Sequence, residues 1–361
     1  APLVGATSMD MTTVDVTQVP AEALSRGTKV TLIGGEITPD HFGAMYDTGA
    51  SEALTKLTKR VHIEHREDPN VPPPAPSPHA SDNVWDAQVT RVDASSESLL
   101  KRALANTRNS RLAKDAAGAV VTVDVGAIRH NYRDGLAKLG AGVTPSAVIK
   151  ADGYGLGAAK LAQVLIQEGC RDFFVARISE AVELRQALRA QDPQMARKVA
   201  INVLDGPLAG SDPQMLIDHQ ITPVLNSLEQ VHAWNQAGQE RGRTLPAILQ
   251  VDSGMSRAGM PPEEINELVG ERQSHLGNIK LQHIMSHLAK AGDATPDVGE
   301  SRQAGQASRQ QLAKFDEICA HFPGVKQSLG ASSTVFLEPE FHKDMVRMGG
   351  TFHGQAPFDA L

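Results

Sequence analysis

The chain is short of cysteine, aromatic residues, net positive charge and long apolar runs, and each shortage removes a class of protein. Two cysteines, Cys170 and Cys319, in 361 residues cannot build a disulfide framework and fit a reducing compartment. No apolar run approaches the roughly 20 residues of a membrane-spanning helix. The opening APLVGATSMDM carries no basic-then-apolar leader. These absences predict a cytoplasmic protein with no membrane partner. The balance of 35 Lys+Arg against 42 Asp+Glu, a net charge of -7, argues against nucleic acid as the main partner. Only three tyrosines occur, Tyr46, Tyr132 and Tyr154. What remains is an ordinary globular composition, 41% apolar, long enough for two domains or for one barrel with an appendage.

Three unequal parts follow. Residues 1–65 read as part of a β-rich domain: TTVDVTQV (12–19) and TKVTLIG (28–34) alternate as half-buried strands do. ITPDHFGAMY then predicts a short helix with Thr38 as its cap and Pro39 in its first turn. Residues 66–118 form a linker whose HREDPNVPPPAPSPHASD stretch holds six prolines and predicts an extended chain; a surface helix fits SSESLLKRALANTR. From 119 to 361, short apolar segments alternate with amphipathic ones: VVTVDV, SAVIK, FFVA, VAINVL, TPVLN, PAILQVD, LQHIMS, VKQSLGA and MVRMGG. That spacing specifies βα units, a parallel sheet, and an α/β fold of the (β/α)8 TIM-barrel kind.

In such a barrel the chemistry sits at strand C-termini. AVIKADGYGLGAAKL (147–161) runs a buried strand into Lys150, then a glycine-rich loop and a helix. Partial desolvation there would lower the lysine pKa and make the amine a Schiff-base nucleophile. A dinucleotide loop is the competing reading, although the spacing is G-x-G-x-G; an exposed lysine before a tight turn is the plain one. Other strand ends carry Asp252 and Arg257, His287, Ser332, and Arg347 ahead of Gly349 and Gly350. Singly these are most often structural. Gathered in one barrel mouth they make an electropositive pocket for a phosphorylated cofactor or anionic substrate. His62 and His65 in HIEH invite a zinc reading, but no third ligand accompanies them, so no metal is expected.

On these motifs, residues 119–355 resemble the barrel domain of alanine racemases, fold-type III enzymes of pyridoxal 5'-phosphate (PLP). The resemblance covers VTVDVGAIRHNY, AVIKADGYGLG, TPVLNSLEQV, VDSGMSRAG, SHLA and MVRMGG in order. It implies PLP linked to Lys150, with its phosphate held by Tyr154, Ser332, Gly349 and Gly350. Arg257 would lie by the phenolic oxygen and the substrate, and Arg347 would face the pyridine nitrogen. His287 would connect Arg347 to a second catalytic base. The implied reaction interconverts L- and D-alanine, or a wider set of amino acids, through an aldimine and two-base transfer of the α-proton.

Residues 1–65 resemble the end of the same family's second domain, so the domain order is inverted. Met9 would meet the substrate carboxylate in a partner's site, and a homodimer or pseudo-dimer with a shared site is implied. Ser51 stands where a tyrosine usually narrows the pocket, and Gln250 where a carbamylated lysine often lies. His353 and Met348 replace the usual tyrosine and proline. None of the three tyrosines fits the second base, which is expected on a missing stretch; the chain reads as an excerpt of a tandem fusion or a permuted protein. The alternatives are a PLP-binding barrel without racemase activity, and a fold-type III decarboxylase or aldolase.

Overall fold

The computed structural model describes residues 15–24, 31, 33, 37–45, 48–55, 61–66, 119–208, 211–291, 295–296 and 302–354. The proline-rich linker, the helix expected near 95–108, Met9 and Tyr46 lie outside them. Among the described residues no helix is long and apolar enough to cross a membrane.

In the first part, α1 (Pro39–Ala44) forms where the Thr38 side chain accepts from the His41 N–H at 3.1 Å, as the sequence predicts. The end of the strand expected at 12–19 is instead a turn. Asp15 folds back to accept from the Thr17 N–H at 2.9 Å, a local bond that competes with strand pairing. A second helix, α2 (Ala50–Thr55), leads to β1 (Val61–Arg66).

β1 pairs in parallel with β2 (Ala119–Asp124), from Val61 opposite Ala119 to Arg66 opposite Asp124. β2 contains all but the last residue of VVTVDV, the first of the nine segments in the alternating series, and it stands outside the barrel. Its burial explains why. Val120 and Thr122 are exposed while Val123 is buried, the pattern of a sheet with one wet face, whereas barrel strands are covered on both. Asp124 then caps α3 (Val125–Lys138), accepting from the Ala127 N–H at 3.0 Å.

The other eight segments close the barrel. β3 (Thr144–Val148), β4 (Asp172–Val175), β5 (Ala200–Val203), β6 (Ile221–Leu225), β7 (Leu245–Gln250) and β8 (Ile279–Met285) pair in sequence, all parallel. β9 (Lys326–Ser328) lies against β8, and β10 (Gly330–Ala331) against β11 (Met345–Met348), which returns to β3. Since β9 and β10 are one strand interrupted at Leu329, the ring is an eight-stranded (β/α)8 barrel, as expected from the sequence.

Phe174, Val224, Ile248, Met285 and Met345, each from a different strand, fill the interior. Helices α4 (Ala158–Gln167), α5 (Ile178–Gln191), α6 (Leu228–Glu240) and α7 (Gln306–Ala320) cover the outside with Leu161, Leu184, Trp234 and Phe315. Each such side chain contributes about 1.5–3 kcal/mol on burial. An ion cluster around the buried Glu168 ties α3 to the end of α4: Glu168 accepts from Arg129 at 2.8 Å and from the half-exposed Arg133 at 2.6 Å.

Candidate active site

Beyond β3 the chain enters a left-handed turn. Ala151, Asp152, Gly153 and Tyr154 have φ of 53°, 54°, 65° and 56°. Left-handed backbone costs a non-glycine residue about 1–2 kcal/mol, so this turn is held by its surroundings. The Asp152 carboxylate accepts from the Ala158 N–H at 2.9 Å, at the start of α4. From the first part of the chain, His65 Nε2 lies 2.7 Å from the Leu156 carbonyl oxygen. A Cβ on Gly155 would fall 2.6 Å from the Leu54 carbonyl oxygen. Leu54 and His65 therefore seat directly on the glycine loop, a contact that no local pattern announces.

Lys150, at the head of this turn, is half-buried. Burial first and the nearby Arg257 charge second lower its pKa, while Glu180 and Asp205 pull the other way. His287, after β8, is held down to about 3 by burial, with Arg347, Arg257 and Lys150 adding to the effect. Those mutual influences bring Lys150, Arg257, His287 and Arg347 into one mouth. His287 is a neutral imidazole at neutral pH.

Arg347, on β11, is buried and desolvated, which lowers its pKa to about 10. It remains a cation at neutral pH and is bound by neutral oxygens. Nη1 donates to the Ser328 carbonyl at 2.9 Å and to Ser328 Oγ at 2.5 Å, and Nη2 donates to the Ser286 carbonyl at 2.6 Å. Among the described residues no carboxylate pairs with it. Ser286 is joined to Ser253 at 2.8 Å, and Gln311 of α7 donates to the His287 carbonyl at 3.1 Å. These supports were not among the residues singled out from sequence. Ser253 and Ser286 are small polar residues just beyond apolar strands, a signal shared with ordinary turns, whereas Ser328 ends β9 and Gln311 lies within α7.

Opposite the lysine, Tyr154 is buried, and burial pushes its phenol up to about 12, so it is a neutral hydroxyl. A Cβ on Gly349 would lie 2.8 Å from Tyr154 Oη. Ser332 Oγ accepts from the Gly349 N–H at 2.9 Å, and Gly350 opens the following turn. His353 packs its ring 4.4 Å from that of Tyr154, and its Nδ1 is 2.9 Å from the Gly349 carbonyl oxygen. A hydroxyl from each of two strand ends and a backbone stripped of Cβ atoms make a cradle with the donors a phosphate needs. With the desolvated lysine in the same mouth, these residues fit PLP.

Gln250 donates to the Ala258 carbonyl at 3.3 Å, beside Arg257. Asp252 stays below its usual pKa against the effect of burial, because the Ser256, Gly254 and Met255 N–H groups point at it. That carboxylate shapes the exposed loop bearing Arg257. Tyr132 is fully buried, edge-on to Phe352 at 6.4 Å, away from any role as a base. Among the described residues no cluster of three metal-ligating side chains occurs.

Strand-end lysine and phosphate cradle in a (β/α)8 barrel define a class, the fold-type III proteins. Residues 123–357 match the family model "Alanine racemase, N-terminal domain" and residues 1–65 match "Alanine racemase, C-terminal domain". The chain belongs to the alanine racemase family, with the two domains in the reverse of their named order. It is 43% identical over 242 residues to a catabolic alanine racemase of Mesorhizobium japonicum, covering 67% of this chain and 58% of that protein. To an alanine racemase of Brucella ovis it is 37% identical, covering 67% and 56%. The crystal structure of alanine racemase from Bartonella henselae with covalently bound pyridoxal phosphate superposes with a TM-score of 0.56 at 35% identity, covering 66% of each chain. This chain thus spans less than two thirds of the length of these relatives.

Proposed function

We propose that this chain binds PLP through Lys150 and forms the barrel half of an amino-acid racemase acting on alanine or a wider set of amino acids. The observation that carries the reading is the joint placement of a pKa-lowered Lys150 and the Tyr154–Ser332–Gly349 cradle in one barrel mouth. Bound there, PLP would supply an electron sink that makes the substrate α-proton acidic. Lys150, whose neutral amine is favoured by burial, would take or return that proton on one face. Arg347 would meet the ring nitrogen as a cation that donates and cannot accept the ring's proton, which disfavours full protonation of the ring and limits side reactions. Neutral His287 would stand between Arg347 and the second base.

That second base is not offered by Tyr132, buried in the core, or by Tyr154, committed to the cradle. In this reading it comes from a partner chain or from a segment outside this sequence, and the working unit is a dimer or pseudo-dimer with a shared site. The same observation supports a second reading, a PLP-binding barrel that does not racemise. Ser51, in place of the family tyrosine, supports a pocket that admits side chains larger than methyl.

The test is an absorbance spectrum of the chain with PLP, beside Lys150→Ala. The parent should show the visible band of lysine-linked cofactor and the variant should not; no band in the parent overturns the cofactor assignment. A D-amino-acid assay on the same sample separates the two readings, with weak or no turnover expected from this chain alone. Where turnover is restored by a partner, rates on alanine, lysine, arginine and methionine test the pocket, and strict preference for alanine would sink the wider range.

A further inference from the structure

Glu180 is the third residue of α5, a position from which glutamate commonly reaches back to cap its own helix. One oxygen does so: Oε2 accepts from the Arg177 N–H at 3.0 Å and from the Ala176 N–H at 2.9 Å. The other oxygen does something capping does not require. Oε1 accepts from the Ala151 N–H at 2.6 Å, on a different βα unit.

Ala151 directly follows Lys150 and is the first of five consecutive left-handed residues, Ala151 to Gly155, of which Tyr154 is the fourth. A short, charge-assisted bond at the head of a strained turn offsets part of its cost. It also ties that turn to the end of β4, a rigid neighbour. Lys150 and Tyr154 stand at opposite ends of this turn, so its shape sets their separation. The groups acting on Lys150 are Arg257 on one side and Glu180 and Asp205 on the other, and Asp205 is itself paired with Arg177 at 3.0 Å. Glu180 is thus the carboxylate that both touches the turn and faces the ammonium.

We infer that Glu180 is a positioning residue for the cofactor site: its divided carboxylate clamps the turn so that Lys150 and Tyr154 meet the two ends of PLP at a set spacing. This rests on the reading of Lys150 as the cofactor lysine. A carboxylate that merely capped α5 would affect stability and nothing else.

Two variants separate the roles. Glu180→Asp keeps the charge but is one methylene shorter, enough to cap α5 and too short to span to Ala151. Glu180→Gln keeps the length and removes the charge. Three quantities are read on each: hydrogen exchange of the Ala151 amide, the pH midpoint for trace acetylation of Lys150 by acetic anhydride, and the Kd for PLP. In Glu180→Asp, Ala151 exchange should quicken and PLP binding should weaken, each by about tenfold, with the acetylation midpoint unchanged. In Glu180→Gln the midpoint should also fall, because the carboxylate that favours the ammonium is gone. Unchanged exchange at Ala151 in Glu180→Asp, or faster exchange with an unchanged Kd, overturns the clamp. If Glu180→Gln does not fold, the aspartate variant alone decides. If the parent shows no lysine-linked band, the cofactor reading fails, while exchange and acetylation in the cofactor-free chain still judge whether Glu180 holds the turn.

Discussion

Replacing Gly349 with alanine tests the cradle most directly. The added Cβ would lie 2.8 Å from Tyr154 Oη and 3.2 Å from Val148 Cβ, closer than carbon comfortably approaches either. Val148 is part of β3 and cannot retreat, so the tyrosine must move or the β11 end must shift. Overpacking of this kind costs about 1–3 kcal/mol of stability. The methyl also occupies the space between the two groups that would share a phosphate. Losing one charged hydrogen bond, about 1.5–3 kcal/mol, weakens PLP binding by about 10- to 100-fold. The assay is a PLP titration by absorbance with denaturant melts of the same samples. Removing the clashing oxygen should relieve part of the stability penalty. The double variant Gly349→Ala, Tyr154→Phe is therefore expected to be more stable than the sum of the single effects by at least about 0.5 kcal/mol. Additive stabilities, together with a Kd for Gly349→Ala equal to the parent's, would refute the claim that Gly349 and Tyr154 face one phosphate.

Two other perturbations follow from burial. Arg347→Met removes a cation and leaves the Ser328 and Ser286 carbonyls without its donors; urea unfolding should show a loss of about 2–4 kcal/mol, and a loss below 1 would contradict the described anchoring. Burial, foremost, holds His219, His283 and His353 down to about 4 and His287 to about 3. Below the unfolded value of about 6.5 the unfolded chain binds protons that the folded chain refuses, so stability falls as pH drops from about 6.5 toward 4. The slope approaches about 1.4 kcal/mol per pH unit for each histidine, and equal urea midpoints at pH 7 and pH 5 would sink the assignment.

Much of this protein is legible in its sequence because the information is local. Apolar segments buried on both faces, spaced by amphipathic helices, specify parallel strands wherever they occur, and eight of the nine find their place in the barrel. Thr38 capping α1 is likewise a three-residue matter. The lysine motif, Ser332 and the Arg-x-Gly-Gly strand end are each local in the chain, so their identities and order could be read before any contact was known.

Contacts between distant segments were decided only by the tertiary structure. VVTVDV has the residues of a strand, but its period does not name its partner, and pairing with Val61–Arg66 removes it from the barrel. Lys150 is visible in the sequence. Its burial, its neighbours Arg257 and Asp205, and the left-handed turn beneath it depend on three separate strand ends converging. Glu180 reads as an ordinary helix cap until Ala151 arrives at its free oxygen. Residue types and their local periodicity set the strands and the chemical groups at their ends. Closing the barrel decides which of those groups meet, because desolvation and hydrogen bonding act through space and not along the chain.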